Sequence, residues 1–175
     1  MENYFELYGL PVKFELDAAA LRAKFLELSR TYHPDRFATA AEATRADALK
    51  RSAMNNDAYK ILGDADRRMA YLLKLKGALE EEEKYTLPPA FLMEMMDLNE
   101  VVSDYEQTGD DCNKKQADSA LEQELTSWKE AIEPLLERFD DGDESQELLV
   151  RIKDFYFRKK YLLRIQERLN TFASR

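Results

Sequence analysis

Apolar residues recur at helical spacing along most of the chain. In residues 17–32, Leu21, Phe25, Leu28 and Tyr32 fall at i, i+4, i+7 and i+11, one face of a helix. Asp17 is a suitable N-cap, and Pro34 ends the helix by biasing His33 away from helical geometry. A second long helix is predicted over about residues 40–62, with Leu49, Ala53, Ile61 and Leu62 among its apolar positions. A shorter one over residues 67–75 is ended by Gly77. Ahead of them, residues 4–8 read as a brief helical turn before Gly9, Leu10 and Pro11. The pattern predicts two long antiparallel helices with small flanking ones.

The pattern breaks near residue 80. Glu80, Glu81, Glu82 and Glu83 form a run of like charge with little reason to pack, and Pro88-Pro89 stops any helix arriving from upstream. Three further amphipathic helices follow, over about residues 90–107, 113–139 and 144–172. Short loops at Gly109-Asp110-Asp111 and Asp140-Asp141-Gly142-Asp143 make sequential neighbours antiparallel. Pro134 lies inside the second of them and predicts a kink or local break. The expectation is an all-α protein: a first module over residues 1–78, a linker over 79–87 and a three-helix bundle over 88–175.

Composition agrees and excludes several classes. The chain is 45% hydrophobic and 35% charged, with 5 Gly and 5 Pro, which favours helices over sheets. Residues 1–78 carry 13 basic and 11 acidic side chains, and the remainder 13 and 24, so the net charge of −9 sits in the second half. Such an acidic half repels phosphates, so no nucleic-acid partner is expected. No apolar run reaches the roughly 18 residues of a membrane span, and the N-terminus has no secretory signal, so no membrane partner is expected either. A single Cys112, read as a solvated loop thiol, fits a reducing, cytoplasmic compartment. One Cys and one His cannot build a zinc site of the usual kind, and no cofactor is expected.

The candidate chemistry lies at His33-Pro34-Asp35, between the two long helices of the first module. Proline fixes one backbone angle, holding His33 and Asp35 in a short exposed turn. Histidine offers a donor and an acceptor, and aspartate a carboxylate that can pair with a partner's arginine. Arg30 and Arg36 flank the turn, and Arg22, Leu26 and Arg30 form a solvent-side stripe leading to it. A catalytic reading finds no second His, no nucleophile and no phosphate-cradling glycine loop, so the chain is not expected to be an enzyme.

Downstream stand Asn55-Asn56-Asp57-Ala58-Tyr59-Lys60-Ile61-Leu62 and Asp66-Arg67-Arg68-Met69-Ala70-Tyr71-Leu72. With His33-Pro34-Asp35 ahead of them, these stretches resemble the J domain over about residues 3–76, an antiparallel helical hairpin with short flanking helices. The resemblance implies docking on the nucleotide-binding domain of a DnaK-class chaperone, with His33, Pro34 and Asp35 triggering ATP hydrolysis there. It also implies basic contacts at Arg22, with Arg30 and Arg36 beside the loop. Leu26 and Glu27 stand where general J proteins commonly carry basic residues, a departure that points to a specialised chaperone.

In the bundle, projection at about 100° per residue places Phe91, Met95, Leu98, Val102 and Tyr105 on one core stripe. Leu92, Met93 and Met96 fall off that stripe, bordered by Asp97, Glu100 and Asp104. They form either the edge of a wide buried face or an exposed apolar patch with an acidic rim, an arrangement suited to protein binding. In the last helix, Leu148, Ile152, Phe155, Leu162, Ile165 and Leu169 define the core face. Phe157 lies away from it, beside Lys153, Lys160 and Arg164, and either covers another helix or awaits a partner.

A J domain followed by an acidic helical bundle, with the run Ala90-Phe91-Leu92-Met93-Glu94, is similar to the HscB family of iron–sulfur co-chaperones. The resemblance implies that the bundle binds the IscU-type cluster scaffold through Leu92, Met93, Met96, Asp97, Glu100 and Phe157, and hands it to an HscA-class ATPase. Because the chain begins directly at the J domain, without the cysteine-rich segment of eukaryotic members, a bacterial cytoplasmic protein is expected. Two rivals remain: a general J protein with another client, and a helical carboxylate metal protein. The second lacks the Glu-x-x-His spacing of helical di-iron sites, since Arg30 lies three before the only His.

Overall fold

The computed structural model describes residues 3–174, which divide into two compact units, one up to Lys76 and the other from Gly77 onward. The described residues contain helices and turns and no strand.

In the first unit, α1 (Tyr4–Tyr8) opens with a capping box between Asn3 and Glu6 and closes at Gly9 in the left-handed region. Helix α2 (Ala18–Thr31) starts where the Asp17 carboxylate accepts from the Ala19 and Ala20 amides. A 3-10 turn (Pro34–Phe37) then leads to α3 (Glu42–Leu62), and Asp64 caps α4 (Ala65–Leu75) by accepting from the Arg67 amide. Cross-links show the hairpin's direction. The Asn55 amide donates to the Phe25 carbonyl and the Ser29 hydroxyl, and Arg51 reaches the Tyr32 hydroxyl. Later α2 residues thus meet earlier α3 residues, so the two helices are antiparallel. The Phe25 and Tyr59 rings stack at 4.3 Å.

This core mixes apolar and polar groups. Phe5, Tyr8, Leu21, Ala58, Leu62, Leu72 and Leu73 are buried, and so are Asn55 and Arg68. The Tyr8 hydroxyl donates to Asn55 Oδ1 at 2.7 Å, and burial pushes its pKa well up. Arg68 donates through Nε to the Phe14 carbonyl at 2.6 Å and through Nη1 to the Leu62 carbonyl. Two backbone acceptors far apart in sequence are thereby satisfied by one side chain, as burial demands. Leu49, expected among the apolar positions of α3, is 64% exposed. It lies one residue from the buried Ala48, and a 100° step turns it off the packed face.

In the second unit, α5 (Pro89–Glu94) and α6 (Met96–Thr108) replace the single helix expected over residues 90–107. The break falls at Met95, whose carbonyl accepts from both the amide and the side chain of Asn99. The stripe nonetheless packs inward: Phe91, Met95, Leu98, Val102 and Tyr105 join Ala117, Leu121, Leu162, Ile165 and Leu169 in one apolar core. Gly109, at φ 65°, makes the turn into α7 (Asp111–Asp140). Helix α8 (Gln146–Ala173) returns along α7, capped by Ser145 and held partway by Trp128 Nε1 donating to the Phe155 carbonyl at 2.7 Å.

Two features depart in part from expectation. Helix α7 runs unbroken through Pro134. Pro134 and Glu130 are both exposed, so water can take the bond that the Glu130 carbonyl loses. The segment over residues 79–87 is also less loose than its charge suggests. Glu83 accepts from Lys153 Nζ at 2.8 Å, and the Tyr85 hydroxyl donates to Asp154 at 2.7 Å. Both partners lie on α8, so this segment groups with the second unit.

Candidate partner-binding surfaces

The first surface is the turn after α2. His33 Nδ1 accepts from the Asp35 amide at 3.3 Å, which orients the imidazole from within the turn. Arg36 Nη1 donates to the Arg30 carbonyl at 3.2 Å, capping the end of α2 and binding the turn to it. The Asp35 side chain is 91% exposed, and its nearer carboxylate oxygen stands 3.6 Å from His33 Nδ1. Arg22, Arg30 and Arg36 are exposed as well, as is Leu26 between the first two. Helix α2 and the turn therefore carry the six residues singled out from the sequence, all exposed, with Asp35 presenting a nearly bare carboxylate. The arrangement can form charge-assisted hydrogen bonds with a partner.

The second surface lies on the bundle. Leu92, Met93 and Met96 are 41%, 69% and 64% exposed, while Phe91, Met95 and Leu98 between them are buried. Of the two readings open from the sequence, the structure has the exposed patch. Asp97 and Glu100 border it in solvent. Phe157 stands on α8 and is half-buried, its ring stacked on Tyr85 at 4.4 Å with an interplanar angle of 6°. It covers the incoming segment on one side while Lys160 lies 5.7 Å from its centroid.

Tyr85 and Asn99 were not legible as part of this surface. Burial and the hydrogen bond to Asp154 push the Tyr85 hydroxyl up to about 12, so it serves as a neutral donor. Asn99 Nδ2 donates to the Tyr161 hydroxyl at 2.7 Å, fastening α6 to α8 beside the patch. An aromatic three residues before a double proline was the available signal for Tyr85; the acidic run ahead of it argued the other way. Among the described residues, no His, Cys, Asp and Glu side chains group as a metal site would need. No described helix is long and apolar enough to cross a membrane.

A hairpin with a bare turn and a bundle with an exposed apolar patch define a two-unit helical protein with two separate exposed surfaces. Comparison with known proteins sharpens that class. The family model described as the HSCB C-terminal oligomerisation domain matches residues 87–170. A co-chaperone protein HscB homolog of Pseudoalteromonas atlantica is 33% identical over 168 residues, covering 94% of this chain and 96% of that protein. One from Vibrio cholerae is 50% identical over 99 residues, 56% of this chain; that match spans only 58% of the relative's length. The solved chaperone HscB from Vibrio cholerae superposes with a TM-score of 0.74 at 30% identity, covering 98% of each chain. The chain belongs to the HscB co-chaperone family. Its relatives are co-chaperones rather than enzymes.

Proposed function

We propose that the protein binds the IscU-type iron–sulfur cluster scaffold and delivers it to an HscA-class chaperone in the cytoplasm, stimulating that chaperone's ATPase. Residues 1–78 serve as the J domain and contact the chaperone through His33, Pro34, Asp35, Arg22, Arg30 and Arg36. Residues 88–175 carry the scaffold on Leu92, Met93, Met96, Asp97, Glu100 and Phe157, with residues 79–87 as the connecting segment. The observation that carries this reading is the exposure of Leu92, Met93 and Met96 beside a fully packed stripe. Exposed methionines adapt to a partner's shape, and nothing in the bundle's own packing requires them outside. Joining two weak contacts through one chain raises the effective concentration of client at the chaperone.

The test separates the two surfaces. Asp35→Asn is expected to abolish stimulation of the HscA-class ATPase while calorimetry shows unchanged scaffold binding. An unaltered stimulated rate would refute the role of the turn. The combined variant Leu92→Ala, Met96→Ala and Phe157→Ala is expected to weaken scaffold binding at least about tenfold. Retained affinity would refute the role of the patch.

A further inference from the structure

Part of the α8 edge of the bundle presents cations, Lys160 and Arg164, that form no ion pair among the described residues. Its geometry follows from a register. Asn99 bonds Tyr161, and Glu106 accepts from Arg168 Nε at 2.5 Å and Nη2 at 2.9 Å; the partners in both pairs are 62 residues apart. A constant offset means that α6 and α8 run parallel, with Phe157 level with Met95 and Arg164 level with Val102. The exposed carboxylates of α6, Asp97, Glu100 and Asp104, are turned about 100° to 160° from the Asn99 position that meets α8, and so lie away from the groove between the two helices. Along α8 it is edged by exposed Lys160 and Arg164.

At its far end the groove is closed by the Glu106–Arg168 ion pair. Higher up, Lys84, Lys160 and Arg164 have no ion pair among the described residues. Lys160 instead lies over the rings of Tyr156 and Phe157. All three cations line one open cavity of about 330 Å³, with the stacked Tyr85 and Phe157 as its aromatic wall. The one carboxylate in that lining, Glu83, is held by Lys153. Arg164 also lines a smaller cavity of about 210 Å³ with Asn99 and Tyr161, and a larger one of about 580 Å³ with Glu106, Glu167 and Arg168, where Glu106 is taken up by Arg168.

We propose that Lys160 and Arg164, with Lys84 beside them, form a subsite for carboxylate side chains of the scaffold protein and set the direction in which it lies across the bundle. This rests on the scaffold-binding reading above and extends it from the apolar patch to the opposite edge. The occupant follows from charge. A guanidinium beside an aromatic wall pairs with a carboxylate through two parallel hydrogen bonds, and the wall excludes water that would weaken them. The exposed carboxylates on the outward face of α6 repel a uniformly anionic ligand such as a lipid surface. A protein presenting basic groups toward that face of α6 and acidic groups toward α8 satisfies both in one orientation only, and the reversed orientation opposes like charges twice.

The experiment titrates the iron–sulfur scaffold protein into the full-length chain by calorimetry, with Lys160→Glu/Arg164→Glu beside wild type. The expected result is a dissociation constant raised about tenfold or more, a flatter salt dependence and an unchanged thermal melt, because both residues are exposed. Restoration of affinity by changing one acidic scaffold residue to lysine would identify the carboxylate. Affinity unchanged within about twofold, with Met96→Ala still weakening it, overturns the subsite and leaves the scaffold reading standing. A lowered melt that accounts for the loss also overturns it. If the double variant loses binding to phosphatidylglycerol vesicles but keeps the scaffold, the edge belongs to a membrane and the proposal fails. No scaffold binding by wild type overturns both readings.

Discussion

The two units solve the same problem, packing amphipathic helices, with different cores. The first buries Asn55 and Arg68 and spends their hydrogen bonds on backbone carbonyls and on Ser29 and Tyr8. In the second every buried residue among those described is apolar or aromatic, and ion pairs such as Lys153–Glu83 and Arg168–Glu106 lie toward its surface. The difference tracks what each unit displays. A three-residue turn works only if the helix before it is held in one place, and directional bonds from Asn55 to Phe25 and Ser29 hold the middle and end of α2. A patch of side chains on a helix needs only the helical period and a well-filled opposite face. The first unit therefore has less freedom to repack than the second.

Removing one group from each core gives the largest expected effects and breaks the comparison if it is wrong. Arg68→Ala leaves the Phe14 and Leu62 carbonyls buried without that donor, a loss of about 3 kcal/mol from the first unit. Leu162→Ala opens a cavity in the apolar core and costs about 3 kcal/mol in the second. Chemical denaturation read separately in each unit, through Trp128 for the second, is expected to show each loss confined to its own unit. A smaller effect belongs to the display surface: Met96→Ala, at 64% exposure, is expected to change stability by less than about 0.5 kcal/mol. A loss of more than about 2 kcal/mol there would make the patch part of the core.

The smallest effects are electrostatic and run in opposite directions with pH. Lys153 holds the Glu83 carboxyl below the usual carboxylate range. Its contribution is present in full above that range and is lost as pH falls through the depressed folded value. Glu83→Gln should therefore lower the melting temperature of the second unit at neutral pH and cease to matter in strong acid. Burial first, and the nearby Glu94 second, raise the pKa of Glu124. Ionised Glu124 thus weakens the fold, and that penalty grows as pH rises from the ordinary carboxylate value through the raised one. Glu124→Gln should raise the melting temperature slightly at neutral pH and leave it unchanged below the carboxylate range. Melts of both variants at two pH values check the signs.

Most of the fold was legible because helical periodicity is a local property. The stripe through Phe91, Met95, Leu98, Val102 and Tyr105 was readable even though the helix carrying it breaks at Met95. That break advances the chain through a turn of similar pitch and leaves the stripe aligned. The exposed candidates Leu92, Met93 and Met96 followed from the same projection by exclusion. The periodicity misled at Leu49, where hydrophobicity alone could not say which way a residue at the margin of α3 would face. The local break allowed for at Pro134 did not occur for a related reason: its cost depends on whether water can reach the orphaned carbonyl, and that is a property of the packed bundle.

By itself, then, the sequence determined the all-helical class, the hairpin with its His33-Pro34-Asp35 turn, and which face of each bundle helix is buried. These depend on interactions among residues a few positions apart, set by helix period, capping and proline geometry. Only the tertiary structure decided that Tyr85 stacks on Phe157, that Asn99 and Glu106 meet residues 62 positions later, and that Arg164 shares a cavity with Lys84 and Lys160 while making no ion pair among the described residues. Those outcomes depend on the register in which α6 and α8 pack. Register is set by the summed fit of the whole core, which no short stretch of the chain contains.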